Sequence, residues 1–251
     1  MVAYDGTNYC GWQIQPGVPT IEGVLNDTLS RVLKEEIQVI GASRTDAGVH
    51  AFGNVAVFDT VTPIPPERIC LALNPHLPED VKIVESIQVE EHFHPRYCDT
   101  RKTYEYHIQT GRTLLPTNRF YSHWVSRKLD VNAMREAAGY LIGTYDFKSF
   151  CAANAQVKST VRTVSSIEIE ENVMQSGTET PAPEIKEIII RVKGEGFLYN
   201  MVRIISGTLI KAGTHGWPPE YIKTILEAKD RTLAGETVPA KGLFLKQIEY
   251  L

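Results

Sequence analysis

No apolar run in these 251 residues approaches the ~20 needed to span a membrane, and the N-terminus has neither the charged nor the apolar region of a secretory signal. Both absences point to a cytoplasmic protein. Cysteine is scarce, and Cys10, Cys70, Cys98 and Cys151 are far apart with no C-x-x-C pair. That spacing fits reduced thiols better than a disulfide framework or a zinc site. His92 and His94 stand near Cys98, but two histidines on one side of a strand are ordinary and no further ligand spacing joins them, so no metal is expected. A basic excess is missing too. Lys and Arg total 26 against 30 Asp and Glu, a formal charge of -4, which as a total argues against nucleic acid.

What is present qualifies that total. Cations gather at Arg96, Arg101 and Lys102, at Lys158 and Arg162, at Arg191 and Lys193, and at Arg203 and Lys211. A phosphate backbone senses local patches of this kind. Acidic residues collect elsewhere, at Glu35 with Glu36, Glu90 with Glu91, and Glu168 to Glu171. Ordinary solvated faces account for such runs equally well. With 43% hydrophobic residues the chain can bury one large core or two smaller ones.

The most informative stretch is Gly41-Ala42-Ser43-Arg44-Thr45-Asp46-Ala47-Gly48-Val49-His50-Ala51, a polar loop between two apolar runs with one carboxylate at its centre. Ile37, Val39 and Ile40 read as a strand before it, and Val55, Val57 and Phe58 as a strand after it, so the loop is pinned at both ends. Gly48 permits a tight turn or a close approach to a ligand, and Arg44 supplies a charge that can hold Asp46 ionised. Spacing alone leaves two readings, a capped turn, which is the default for Asp in a Gly-flanked loop, and a positioned reactive group. Asp46-Ala47-Gly48 is not an aspartic-protease loop: alanine occupies the hydroxyl position, and no second such loop supplies the paired carboxylate.

Taken in order, the chain opens with a strand at Met1 to Tyr4, a turn at Asp5-Gly6-Thr7 and a half-buried Trp12. Thr20 caps a helix in which Ile21, Val24, Leu25, Leu29, Val32 and Leu33 recur at helical spacing. Strands are expected at Gln38 to Ala42, Asn54 to Asp59 and Val81 to Val89, with a short helix from Pro65-Pro66 to Leu73, giving βαββαβ. The second half repeats that order without repeating the sequence. It has strands at Thr103 to Gln109, Arg119 to Val125, Thr160 to Glu170, Glu187 to Lys193 and Leu243 to Tyr250, and helices at Val131 to Ile142, Phe197 to Ala212 and Pro219 to Ala228. Glu171 to Glu184, rich in Ser, Thr, Glu and Pro, reads as a mobile surface loop. The expected fold is α+β: two ferredoxin-like (βαββαβ) halves, residues 1–95 and 96–251, with antiparallel sheets and a central active-site cleft.

Two stretches of the second half bear on a site. Arg203 is the only charge in Phe197 to Ile205, and an uncompensated buried guanidinium costs on the order of 3 to 5 kcal/mol, so a carboxylate partner is expected, Asp46 or Asp146, unless the side chain snorkels to solvent. In Arg101-Lys102-Thr103-Tyr104-Glu105-Tyr106, rings alternate with cations and polar residues, a pattern that suits base stacking but equally an amphipathic strand with its tyrosines toward the core.

Together these residues resemble the tRNA pseudouridine synthase A family almost end to end. The resemblance runs through Tyr4-Asp5-Gly6-Thr7, Gly11-Trp12-Gln13, the specific Arg44-Thr45-Asp46-Ala47-Gly48-Val49-His50-Ala51 run, Arg101 to Tyr106, Gly143 to Phe150, Phe197 to Arg203, and Lys229-Asp230-Arg231 through Gly242-Leu243. Departures are small: Ser43 stands where glycine is more usual, Asn54 where glutamine is usual, and the start is abbreviated. The resemblance implies cofactor-free isomerisation of uridine to pseudouridine in the anticodon stem-loop of tRNA, by a homodimer. It gives Asp46 the essential covalent role, whether attack on the sugar, attack on the base or removal of a sugar proton. It also implies that Tyr104 packs on the flipped uracil, that Arg203 pairs with Asp46, and that Arg44 sits beside the vacated base stack. The competing reading is a non-catalytic RNA-binding or chaperone protein of the same fold. A glycoside hydrolase is disfavoured, since only Asp46 stands in a convincing loop and that chemistry needs two acids.

Overall fold

Helices and strands interleave along the chain in a mixed α+β arrangement whose strand pairing is mostly antiparallel. The computed structural model describes residues 1–152, 157–176 and 184–251. In order the elements are β1 (Val2–Tyr4), α1 (Ile21–Leu33), β2 (Ile40–Gly41), β3 (His50–Asn54), β4 (Ala56–Val57), α2 (Ile69–Leu73) and β5 (Val81–Ile83). Then follow β6 (Thr100–Thr110), β7 (His123–Val125), α3 (Val131–Gly139), β8 (Gly143–Asp146), β9 (Val161–Ser176) and β10 (Glu184–Gly194). The chain closes with α4 (Met201–Gly213), α5 (Tyr221–Ala228) and β11 (Leu243–Tyr250). Two compact units result: residues 1–100 with 244–251, and residues 101–243.

In the first unit β1 lies between β5 and β3, antiparallel to both, and β3 takes Phe244 and Leu245 of β11 alongside it in parallel. Extended Thr20 starts α1 by accepting a hydrogen bond from Gly23 N–H at 3.3 Å, and Ile21, Leu25, Leu29 and Leu33 bury one stripe of the helix. Glu22 faces the positive end of the helix and accepts from Ile14 N–H at 2.8 Å. The strands around Asp46 differ from expectation. β2 is two residues long, and the stretch expected as Asn54 to Asp59 divides into β3, in the main sheet, and β4, which pairs with β2 through Ile40↔Val57. The cause is Asn54: its side chain accepts from Val55 N–H at 3.0 Å, which takes that donor from the ladder and ends β3. β5 stops at Ile83 rather than Val89. Beyond it Val84 N–H donates to Met1 O, and Ser86 Oγ turns to Pro66 O at 2.6 Å.

The second unit is built on β6, β10, β9 and β8, paired antiparallel in that order, with β7 parallel on β6. Tyr106, Ile108, Ile188, Ile190, Val192, Val164 and Ile169 supply a buried apolar face, and α3 packs on both β9 and α4. On the other face Glu105, Arg191 and Glu168 stand in register across three strands. Several bounds move for local reasons. Asn200, in the left-handed region at φ +60°, delays α4 to Met201, and the expected strand from Arg119 shrinks to β7 because residues 119–121 continue in a turn, with Tyr121 and Ser122 N–H on Asn118 O. β8 has no apolar alternation and was not expected. β9 runs to Ser176 and β10 begins at Glu184, so residues 171–176 and 184 of the expected loop are strand, and residues 177–183 lie outside the described residues.

Candidate active site

Asp46 lies half-buried in the connection from β2 to β3, and Arg44, two positions earlier, is exposed. The backbone on each side of Asp46 is fixed by groups of the same unit. Before it, Ala42 N–H donates to Val55 O at 2.7 Å. The fully buried Asn54 then clamps Ser43, with Oδ1 accepting from Ser43 N–H at 3.2 Å and Nδ2 donating to Ser43 O at 3.0 Å. Nδ2 also donates to Tyr4 Oη at 3.3 Å, and that hydroxyl lies 2.7 Å from Thr45 Oγ1. Thr45 O accepts from Trp12 N–H at 3.0 Å. After it, Val49 N–H donates to Asp46 O at 3.1 Å, closing a turn, while Gly48 at φ +74° donates to Tyr9 O at 3.2 Å.

Glycine lets the Tyr9–Trp12 segment lie this close. Gly11 has φ +87°, and a Cβ on it would stand 2.7 Å from Thr45 O. Trp12, expected half-buried, has no exposed surface and packs on Gly41, where any Cβ would run into the indole. His50, buried at the start of β3, accepts from Gly6 N–H through Nδ1 at 3.1 Å and stacks on Phe244 at 4.6 Å. Asp46 therefore rides on a turn whose polar backbone is tied at several points, the condition for holding a reacting group in one geometry.

Cations stand beside that loop. Arg96 Nε donates to Gly41 O at 2.6 Å, and its guanidinium pKa is lowered by burial first and by the nearby Arg44 charge second, against an opposing pull from Glu22. Tyr9 is pushed up by burial and by its 2.6 Å hydrogen bond to Asp80.

Tyr104 and Arg203 belong to the second unit. Tyr104 is buried on β6 and meets Phe197 edge-on, 5.3 Å between centroids at 87°. Arg203, in the first turn of α4, is half-buried. Its Nε donates to Val238 O at 2.8 Å and its Nη1 to Asn200 Oδ1 at 2.7 Å, so left-handed Asn200 both starts the helix and orients the guanidinium. Asp146, one of the two carboxylates considered for Arg203, is engaged otherwise. It accepts from Thr160 Oγ1 at 2.5 Å, from Lys229 Nζ at 3.0 Å and from Lys148 N–H at 3.2 Å, and the Thr160 bond leads the effects that hold it below the usual carboxylate range.

The basic clusters read from the sequence fare unevenly. Arg191 is not an open phosphate contact: it is tied to buried Glu105 at 2.9 Å, to Glu170 at 2.9 Å and to Glu168 at 3.2 Å, the Glu170 bond foremost in raising its pKa. The 168–171 acids are accordingly cross-strand partners rather than a merely solvated run, since Glu171 in turn meets Lys186 at 3.3 Å. Arg101 is exposed. Tyr4, Gly11 and Trp12 stood in the stretches of family resemblance and Asn54 among the departures from it, but sequence reasoning gave them no part in holding the Asp46 turn.

Comparison with known proteins gives the family. A family model described as tRNA pseudouridine synthase matches residues 1–98 and 137–251. The chain is 46% identical over 251 residues to tRNA pseudouridine synthase A 2 of Clostridium tetani, covering 99% of this chain and 96% of that protein. It is 44% identical over 250 residues to tRNA pseudouridine synthase A of Thermoanaerobacter sp. strain X514, covering 100% and 98%, and 41% identical over 251 residues to that of Bacillus pumilus, covering 99% and 97%.

Proposed function

The chain belongs to the tRNA pseudouridine synthase family, and from that premise we propose that Asp46 is the essential nucleophile of a cofactor-free isomerisation of uridine to pseudouridine in the anticodon stem-loop of tRNA. Isomerisation moves no atom to or from a second reactant except protons. The bond from N1 to the ribose C1' breaks, the uracil turns while held, and C5 bonds to C1'. C5 then gives up its proton and N1 takes one. A single carboxylate can carry the covalent part of this sequence.

Tyr104 packs on the uracil and takes part in removing the C5 proton, Arg203 binds the substrate as a cation, and Arg44 occupies the place beside the extracted base, where contacts offset an unstacking cost of a few kcal/mol. The acting form is a homodimer on one tRNA. In the finer reading of the fold, residues 1–95 and 96–251 are two ferredoxin-like halves. With β4, β7, β8 and α5 taken as additions, the element order supports it: β1, α1, β2, β3, α2, β5 in the first, where β2 pairs with β4 and not in the main sheet, and β6, α3, β9, β10, α4, β11 in the second.

The observation that carries the proposal is the tethering of the Asp46 turn by Asn54, Tyr4, Trp12 and Tyr9, within residues 1–98 of the family match. The test is tritium release from unmodified tRNA transcript labelled at uridine C5. Wild type is expected to release label and Asp46→Asn to release none above background; equal release from the two removes Asp46 from the chemistry. Wild type that binds the transcript without releasing label would point to the non-catalytic RNA-binding reading.

A further inference from the structure

From Tyr106 to Leu129 the chain contains no Asp or Glu, in a protein with 30 acids against 26 Lys and Arg. Arg112, Arg119, Arg127 and Lys128 all lie in that stretch and all are exposed. Three large rings are exposed with them: Phe120 at 41%, Tyr121 at 40% and Trp124 at 39%. The stretch falls inside residues 99–136, which the family match leaves out.

The rings are held in place. A 3-10 turn at Pro116–Asn118 leads into Phe120 and Tyr121, and Asn118 O accepts from Tyr121 N–H at 3.0 Å and Ser122 N–H at 3.1 Å. β7 is pinned on β6 through Ile108↔His123 and Gln109↔Trp124, and the Trp124 indole N–H donates to Gly111 O at 3.0 Å. The Arg119 guanidinium stands 4.2 Å over the Phe120 ring, and Lys241 Nζ donates to Arg119 O at 2.8 Å. At the far end Arg127 and Lys128 line an open cavity of about 600 Å³ together with Arg135 and Lys186 and the acids Asp130 and Glu171.

Exposed rings are unfavourable in water, and a segment that pairs three of them with four cations and carries no acid of its own fits one kind of partner, a polyanion that also carries flat π faces. An acidic protein surface would satisfy the cations but has no use for three rings. We propose that the Arg112–Lys128 segment is an RNA-docking surface that stacks unpaired nucleotides on Phe120, Tyr121 and Trp124 while Arg112, Arg119, Arg127 and Lys128 take phosphates. The inference rests on the tRNA reading above and assigns it a contact apart from the reacting uridine.

The test uses the full chain and unmodified tRNA transcript, with Kd followed by anisotropy across a salt series and tritium release in single turnovers at saturating protein. The variants are Phe120→Ala with Trp124→Ala; Arg112→Gln, Arg127→Gln and Lys128→Gln together; and Arg112→Lys with Arg127→Lys. The ring variant and the glutamine triple are each expected to bind roughly tenfold more weakly. The triple should also flatten the salt dependence, the lysine variant should stay within a few-fold of wild type, and the saturated rate should be kept in all three. The glutamine triple changes exposed positions only, so it remains informative if the ring variant folds poorly. Binding within twofold of wild type with an unchanged salt slope in the triple overturns the proposal. If wild type and Asp46→Asn release label equally while the triple still loses binding, the docking surface stands and the catalytic reading fails. If wild type is active and the triple binds normally, the reverse holds.

Discussion

Replacing Asn54 by Ala removes the clamp on the Asp46 turn without touching any residue proposed to meet substrate. Asn54 has no exposed surface and makes hydrogen bonds to Ser43 N–H (3.2 Å), Val55 N–H (3.0 Å), Ser43 O (3.0 Å) and Tyr4 Oη (3.3 Å). Val55 is half-buried and can turn to water, and Tyr4 Oη keeps Thr45, but Ser43 is 6% exposed and both its N–H and its C=O lose the Asn54 bond. Each such buried bond lost costs about 1–3 kcal/mol, so the substitution should cost about 2–6 kcal/mol. At about 2–4 °C per kcal/mol for a chain of this size, calorimetry should place the melting transition about 10 °C lower. The turn also loses the restraint that positions Asp46, and a misplacement near 1 Å is worth about a hundredfold in rate, so single-turnover tritium release should fall by at least tenfold at temperatures where the variant stays folded. A melting point within 2 °C of wild type together with unchanged release would refute the idea that Asn54 holds the turn.

Other expectations follow from the same contacts. Gly11→Ala brings a Cβ to 2.7 Å from Thr45 O at φ +87° and should cost about 2 kcal/mol with a loss of rate, whereas Gly17→Ala, at φ +76° but with no atom within 4 Å, should show the backbone strain alone and full tritium release; equal rates in the two variants would contradict the packing argument. Arg203→Met should lose most activity while transcript binding stays within a few-fold of wild type, and preserved activity would remove Arg203 from the reaction. For His107, burial acts to lower the pKa, but hydrogen bonding and charge from Glu105 and Glu187, the latter at 3.0 Å, outweigh it and raise the value above the ordinary 6.5. Its stabilisation is therefore complete below the unfolded pKa and disappears as pH rises through the folded one. The difference in melting temperature between wild type and His107→Asn should shrink between pH 6 and pH 9 (about those of unfolded His and beyond), and a difference that grows with pH would reverse the sign assigned here.

How much was legible in advance depended on whether the deciding partner was near in sequence. α1 was readable because its cap Thr20 and its stripe Ile21, Leu25, Leu29 and Leu33 lie within one short segment. The Asp46 loop stood out for the same reason, as a polar run between apolar ones. Local devices that leave no hydrophobic pattern were unreadable for another reason: β3 ends at Asn54 through a side-chain bond that competes with the ladder, β8 pairs with β9 without any apolar alternation, and α4 starts late because Asn200 is left-handed. Arg191 looked like a phosphate contact since its carboxylate partners, on Glu170, Glu168 and Glu105, are 21, 23 and 86 residues away.

The same distance effect hid what holds the site. Tyr4, Tyr9, Gly11 and Trp12 read separately as a strand end, a turn and a core ring, and only in three dimensions do their hydroxyl, carbonyl, bare Cα and amide converge on residues Thr45 to Gly48. These contacts reach backbone and a threonine hydroxyl on either side of Asp46. The stretch Tyr4 to Gln13 thus acts on the site by where it puts a turn. Substitutions there should change rate and stability together, whereas Asp46→Asn should change rate alone. That split separates the residues that perform the reaction from those that aim it.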